Sequence, residues 1–260
     1  MRELGRLELS RNRAPLSLMR AQGWLNCFAV VLHCGIALSF SACEASVTRR
    51  VLATVLSVEG TAEVRQKGHS EFDRITPATL LQVGSLVRIG TSGTLNLAFL
   101  PNTVASLSEK SELQIDDLAV TKDGNAMRND VRSRMVRLLL LGGTMQVSFN
   151  RLPDCRSDLT IKTPQGALTA NSDCIFLINV GEEKTRVTCV YGMLASHIER
   201  ADFLIEAGYF QEFPSSDLSP KAAAEDAQAQ RDVMSMIETE HQLQELARHQ
   251  RLLKPDFLDR

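Results

Sequence analysis

The sequence predicts an all-β protein, a β-roll, solenoid-like or sandwich-like stack of short strands, with one α-helix appended at its C-terminus. Two observations carry this prediction. Between residues 51 and 213, short segments rich in Val, Ile, Leu and Thr alternate with Gly, Asn and Pro, which is typical of strands and turns. Beyond residue 220 the chain turns to Ala, Gln, Glu and Arg without Gly and with no Pro until 255, which favours a helix.

The first 42 residues are typical of a targeting segment. Five arginines precede a mostly apolar run over 24–42, which ends in Phe40-Ser41-Ala42-Cys43. This ending resembles a bacterial lipobox, which implies a signal peptide and a lipoprotein whose N-terminal Cys43 is acylated after cleavage. An uncleaved membrane anchor stays open, because the run approaches the ~20 residues that a bilayer requires. Simple cleaved secretion is a third reading, and translation starts at either Met1 or Met19.

The charge balance argues against nucleic acid as a partner. Removing residues 1–42 takes five arginines and two glutamates from 29 basic and 31 acidic residues, which leaves a net charge of −5. An acidic chain disfavours broad nucleic-acid binding. One Trp and two Tyr also argue against an aromatic stacking surface for sugars or single strands.

A tether over 43–50 leads into the β domain. Its strand-like segments are 51–65, 80–115, 138–149, 159–170, 174–180 and 185–198. Phe99 closes a stretch in which apolar side chains alternate with small or polar ones, so one strand face packs inward. The segment 174–180 is apolar on both faces, which indicates a strand covered on both sides. We therefore expect Phe99, Ile161 and Leu177 to be buried.

Four segments of this domain occur in the order found in the FecR domain family of bacterial envelope proteins. The pattern L-x-x-G-x-x-V-x-x-G-x-x-G-x-L-x-L-x-F occupies 81–99, and L-L-G-G-T-M occupies 140–145. I-K-T-P-Q-G follows at 161–166, and T-R-V-T-C-V-Y-G-M-L ends the series at 185–194. The chain resembles that family over 51–213.

The resemblance implies a sensing or binding module on the periplasmic side of the envelope. Family members in iron-uptake signalling couple an outer-membrane receptor to a cytoplasmic sigma factor through a domain that precedes the membrane span. Only 23 residues precede the apolar run here, too few for a folded domain. The expected function is thus a non-enzymatic, envelope-anchored binding or scaffold module. The alternative is a single-pass transmembrane signalling or sensor protein that lacks the sigma-binding domain.

Three cysteines lie beyond the targeting segment and Cys43. Pairing the two strands that flank the turn Gly-Glu-Glu-Lys sets Phe176 opposite Cys189 and Cys174 opposite Tyr191. Cys174 and Cys189 are then diagonal neighbours at roughly 7–8 Å, too far for an unstrained disulfide. A bridge that involves Cys155 and three free thiols both stay open.

A basic stretch interrupts the strand pattern between residues 115 and 138. Its turn-forming residues and interspersed cations predict an insertion that meets phosphate-bearing lipid or an acidic partner. The alternative is a solvated loop or a long hairpin without such a role. The candidate interaction residues are Lys122, Arg128, Arg132, Arg134 and Arg137.

The C-terminal part reads as a linker over 214–219 and a helix over 220–253. Ser219 followed by Pro220 is a good helix start. The apolar stripe of this helix is thin, so packing on its own domain and docking onto a partner or a second copy both stay open.

Motifs for catalysis and metal binding are missing from the sequence. We find no nucleophile elbow, HExxH pair, phosphate-binding loop or paired Cys-x-x-Cys, and the five histidines share no metal-ligand spacing. We therefore expect no cofactor and no enzymatic activity. The expected partners are an envelope protein and the membrane, the latter through lipid or an N-terminal anchor.

Overall fold

Strands and one long helix make up the parts of the chain that the computed structural model describes, residues 46–124, 131–198 and 201–253. The described strands are β1 (Ser46–Arg50), β2 (Ala53–Glu59), β3 (Ala62–Arg65), β4 (Asp73–Arg74), β5 (Leu80–Leu81), β6 (Leu86–Ile89), β7 (Thr94–Leu100), β8 (Thr103–Leu107), β9 (Glu112–Asp123), β10 (Val131–Phe149), β11 (Arg156–Thr163), β12 (Gly166–Ala170), β13 (Cys174–Val180), β14 (Thr185–Tyr191), β15 (Met193–Ile198), β16 (Ala201–Glu206), β17 (Tyr209–Phe213) and β18 (Lys221–Ala222). A 3₁₀ turn (Ala223–Glu225) precedes the helix α1 (Ala227–Leu253). The predicted all-β class with a C-terminal helix is confirmed. The predicted tether over 43–50 is too long, because residues 46–50 form β1, which pairs with β9.

The strands pair into two sheets that share β10. Sheet A contains β1, β3, β4, β6, β9, β11, β12, β15, β16 and the first part of β10. Sheet B contains β2, β5, β7, β8, β13, β14, β17, β18 and the last part of β10. Nearly all pairs are antiparallel, and β10–β11 is parallel.

Both sheets turn one apolar face toward a common core. Val64 and Ile161 enter it from sheet A, and Phe99, Phe149 and Phe176 enter it from sheet B; each is at most 1% exposed. Phe99 and Ile161 are thus buried as predicted. Of the predicted architectures, the sandwich-like stack describes this arrangement.

The crossing of β10 between the sheets depends on Gly143. Up to Gly142 the strand pairs with β9 in sheet A, and from Gly143 it pairs with β13 in sheet B. Gly143 has a φ of +87°, and a Cβ there would lie 2.4 Å from the Cα of Ser111. Ser111 holds the bend, since its Oγ accepts a hydrogen bond from the N–H of Thr144 at 2.9 Å. Only glycine combines that φ with so close a backbone.

Helix α1 packs along the outer face of sheet B. Met236 and Leu243 are fully buried, the first against Leu177 of β13 and the second against Val104 of β8. Nearer its start, Ala229 packs against the aromatic end of β17. Leu177 is 4% exposed, so its predicted burial is confirmed. The apolar outer face of β13 is therefore covered by the protein's own helix.

The helix starts later than the sequence predicts. Residues 221–225 form β18 and the 3₁₀ turn, and α1 begins at Ala227. Asp226 caps the helix, because its Oδ1 accepts hydrogen bonds from the N–H groups of Gln228 and Ala229 at 3.0 and 2.8 Å. The predicted start at Ser219-Pro220 is therefore wrong, because Asp226 provides the cap seven residues later.

Polar contacts supplement the thin apolar stripe of α1. The side-chain amide of Gln146 in β10 donates to Ser235 Oγ at 2.8 Å. Thr188 Oγ1 of β14 donates to Asp232 Oδ2 at 3.1 Å. The described residues from 46 onward belong to one compact unit. In the described parts of the chain, no helix is both long and apolar enough to span a bilayer.

Candidate interaction surface

The predicted basic insertion is a strand hairpin over its described residues, not a loop. Lys122 lies in β9 and Arg132, Arg134 and Arg137 lie in β10, while Arg128 lies outside the described residues. Strand β9 pairs along nearly its whole length with residues 131–142 of β10, with three register shifts. Leu118, Val120, Val136 and Leu138 face the core from these two strands, so the strand alternation continues through the segment. The long hairpin, the alternative reading, is the arrangement found.

Arg134 is a buried structural residue and does not belong to a basic surface. It is 2% exposed, and its Nε donates to Ser157 Oγ at 2.7 Å. Its two terminal nitrogens donate to the carbonyl oxygens of Pro101 and Asn150. The guanidinium also lies 5.5 Å from the centre of the Phe149 ring. This side chain ties sheet A to two connecting segments of sheet B.

The other described members of the predicted set lie apart from each other. Arg132 Nη2 pairs with Asp123 Oδ2 at 2.9 Å at the far end of the hairpin. Lys122 lies on β9 beside that end. Arg137 lies further along β10, is exposed, and forms no ion pair with any described residue. Lys122 and Arg132 therefore lie together at the end of the hairpin, and Arg137 lies apart from them.

Arg137 borders a shallow groove of about 380 Å³ on the outer face of sheet A. Met193 and Leu204 contribute apolar surface and are 44% and 50% exposed. Thr160 and Thr169 supply hydroxyl groups to the same groove. Arg156 and Asp158 also line it and pair with each other at 2.9 Å. The groove thus combines Arg137, an ion pair, exposed aliphatic side chains and neutral hydrogen-bonding groups.

The outer faces of the two sheets differ in their cover. Sheet B lies under α1, which buries Leu177 and Val104. On sheet A, the outward side chains Leu141, Met193 and Leu204 are exposed by 39–50%. Of these, Met193 and Leu204 share the groove, and exposed apolar side chains that adjoin each other are one mark of an interaction site.

A histidine links three strands on this same face. His197 Nε2 lies 2.8 Å from Thr169 Oγ1, and its Nδ1 lies 2.8 Å from Asp202 Oδ1. The pairing of β12, β15 and β16 in sheet A brings the three side chains together, and nothing in the local sequence pattern signalled this. Within the described residues, no group of three or more His, Cys, Asp or Glu is placed to hold a metal ion.

The three cysteines of the β domain are buried and free. Phe176 pairs with Cys189 as predicted, but a register shift sets Ile175, not Cys174, opposite Tyr191. Burial raises the pKa of Cys189 to about 12 and raises that of Cys174 as well. Thiols of this kind are unreactive at neutral pH. Cys43 lies outside the described residues.

An ion cluster fastens the start of α1 to sheet B. Arg186 of β14 pairs with Glu212 of β17 and with Asp226, both at 2.8 Å. Its guanidinium lies 4.8 Å from the centre of the Phe210 ring. Burial alone would raise the pKa of Glu212, but hydrogen bonds from Arg186 and Lys184 lower it. A polar cavity of about 270 Å³ beside the cluster has mixed charge, so we assign the cluster to helix docking.

This cluster predicts a loss of stability in acid. The hydrogen bond from Arg186, followed by that from the N–H of Ala229, lowers the pKa of Asp226 from 3.8 to about 2. Because the folded pKa is the lower one, the carboxylate stabilises the fold above pH 3.8, and this contribution is lost as the pH falls toward 2. We expect Asp226→Asn to lower the midpoint of urea unfolding at neutral pH, with a difference from the parent that shrinks across this window. A difference that stays constant down to about pH 2 contradicts this origin.

Comparisons with known proteins give little beyond the fold. No protein-family model matches the sequence, and no curated protein matches it. Two crystal structures of a candidate anti-sigma factor from Parabacteroides distasonis ATCC 8503 are similar in structure, with TM-scores of 0.39 and 0.38 at 11% and 10% identity. Each match covers 53% of this chain and 59% of that one. The resemblance to the FecR domain family stays a prediction.

Proposed function

We propose that this chain is a non-enzymatic binding module of the bacterial cell envelope. It is held at the periplasmic face of a membrane by acylated Cys43 and binds a protein partner through the outer face of sheet A. The observation that carries the proposal is the unequal cover of the two sheets. Helix α1 covers sheet B, whereas the outer face of sheet A keeps exposed aliphatic side chains beside Arg137, which forms no ion pair with a described residue.

The chemistry of the groove indicates what the partner presents. Arg137 is a planar donor that pairs well with a carboxylate. Met193 and Leu204 offer apolar contact next to it. The complementary ligand is an exposed protein segment with an Asp or Glu beside aliphatic side chains. Aliphatic anchors with a neighbouring ion pair are an ordinary composition for a protein interface.

The anchor is supported by the order of features at the N-terminus. The chain begins with arginines and an apolar run, which ends in Phe40-Ser41-Ala42-Cys43. Strand β1 begins only three residues beyond Cys43. Such a short tether holds the β domain close to the membrane. The alternative, a single-pass signalling protein, keeps the same domain but leaves the apolar run uncleaved.

One experiment tests both parts of the proposal in the full chain. A photo-crosslinking amino acid replaces Leu204 in the groove or, as a control, Met234 on the solvent side of α1, which is 70% exposed. We expect an envelope protein to be crosslinked at 204 and not at 234, and Arg137→Glu to abolish the crosslink. Mass spectrometry of the same membrane-derived protein should show acyl groups on Cys43.

Each readout can contradict its own part. Equal crosslinking at 204 and 234, or a crosslink that persists in Arg137→Glu, argues against the groove. An intact N-terminus with an unmodified Cys43 argues for the single-pass alternative. Peptide mapping of the crosslinked partner should find the attached segment to carry Asp or Glu among aliphatic residues, and a basic segment contradicts the proposed complementarity.

A further inference from the structure

The register of β1 fixes where the chain enters the β domain. Ser46 pairs with Asp123 of β9, at the far end of the β9–β10 hairpin, and Arg50 pairs with Ala119 nearer the core. Ser46 is the third residue after Cys43. Three residues span at most about 11 Å of extended chain. Whatever holds Cys43 therefore lies next to this hairpin end.

This end of the molecule is basic. β1 is exposed along its whole length, and Arg50 has a side-chain exposure of 75%. Among the described residues, four basic side chains lie here against two acidic ones, which pair with Arg50 at 4.0 Å and with Arg132 at 2.9 Å. The basic set is Arg49, Arg50, Lys122 and Arg132, and the acidic set is Asp117 and Asp123.

We propose that this basic strand end, formed by β1 and the adjoining ends of β9 and β10, lies against the anionic phospholipid headgroups of the membrane that carries the protein. The inference rests on the proposed anchor at Cys43. The chain after residue 42 has a net charge of −5, so an anionic surface repels the molecule as a whole. A local excess of two positive charges at the tether then selects the side that faces the lipid.

An apolar residue supports this placement. Val47 is 45% exposed and lies on the same face of β1 as Arg49, two residues on. An exposed aliphatic side chain among arginines is the composition found at the boundary between headgroups and acyl chains. Val47 also pairs with Lys122 across the strands, so the apolar and basic groups form one continuous surface.

The test uses the fragment 44–260, which contains the compact unit and has no acyl chain. We measure its partitioning onto vesicles in which about a third of the lipid is phosphatidylglycerol and the rest phosphatidylcholine. Arg49→Gln with Arg50→Gln should weaken the partitioning about 25-fold, because each basic residue at an anionic surface contributes about fivefold. The matched control, Arg74→Gln with Lys162→Gln, removes two exposed positive charges elsewhere on sheet A and should change it less than about twofold.

The outcomes separate this inference from the anchor. Equal weakening in both double variants, or no measurable preference for phosphatidylglycerol over pure phosphatidylcholine, overturns the membrane-facing surface even if Cys43 carries acyl groups. A selective effect of the β1 variant supports the surface, whatever the mass of the N-terminus shows. If the fragment binds inorganic phosphate at millimolar concentration but does not bind the vesicles, the basic strand end is a site for free anions, and the proposal is likewise overturned.

Discussion

Leu177→Ala is expected to lower the free energy of unfolding by about 2–5 kcal/mol, the range for truncating a buried leucine. Leu177 is 4% exposed and packs between Ile175, Val190 and Met236, where β13 meets α1. Loss of three heavy atoms leaves a cavity that the rigid sheet closes only in part. The effect should also loosen the helix, because Met236 loses a main apolar neighbour.

Urea unfolding of the fragment 44–260, followed by circular dichroism, measures this change. Met234→Ala on the exposed side of α1 is the matched control and should stay within about 0.5 kcal/mol of the parent. A Leu177→Ala variant as stable as its parent would show that α1 does not rest on β13.

Arg134→Met is expected to destabilise the chain by about 3 kcal/mol. The substitution keeps most of the aliphatic volume but removes the donors to Ser157 Oγ and to the carbonyl oxygens of Pro101 and Asn150. A part-buried acceptor left without its donor costs about 1–3 kcal/mol. The loss should far exceed that expected of a surface arginine.

Arg137→Met provides that comparison, since it lies three residues along the same strand and is exposed. It should change stability by at most about 0.5 kcal/mol. Similar unfolding midpoints for the two variants would refute the structural role of Arg134 and would indicate that its side chain is exposed.

The strand pattern in the sequence predicts the class and much of the core, because burial of Phe99, Ile161 and Leu177 follows from local apolar spacing. The burial of both faces of β13 is predictable for the same reason. The sequence does not predict that α1 covers the outer face, because α1 attaches through separate apolar patches and through hydrogen bonds such as Gln146–Ser235. Residues 89 apart in sequence leave no local periodic signal.

The predicted basic site was wrong because residues that are close in sequence lie in different environments in the fold. Charge alone grouped Arg134 with Arg137, yet one is buried and the other exposed. The acceptors that make burial of Arg134 favourable come from Pro101 and Asn150. Both residues are far from Arg134 in sequence, so only the fold shows that Arg134 is a structural cation and Arg137 a surface one. The groove beside Arg137 was missed for the same reason, since its walls come from β10, β11, β12, β15 and β16.

The crossing of β10 at Gly143 also determines how the molecule comes apart. A single strand supplies ladder hydrogen bonds to β9 and β11 in one sheet and to β8 and β13 in the other. Neither sheet can therefore open around this strand without disturbing the other. The domain thus lacks a natural seam along which half of it could unfold while the rest persists, and both layers should melt in one cooperative transition.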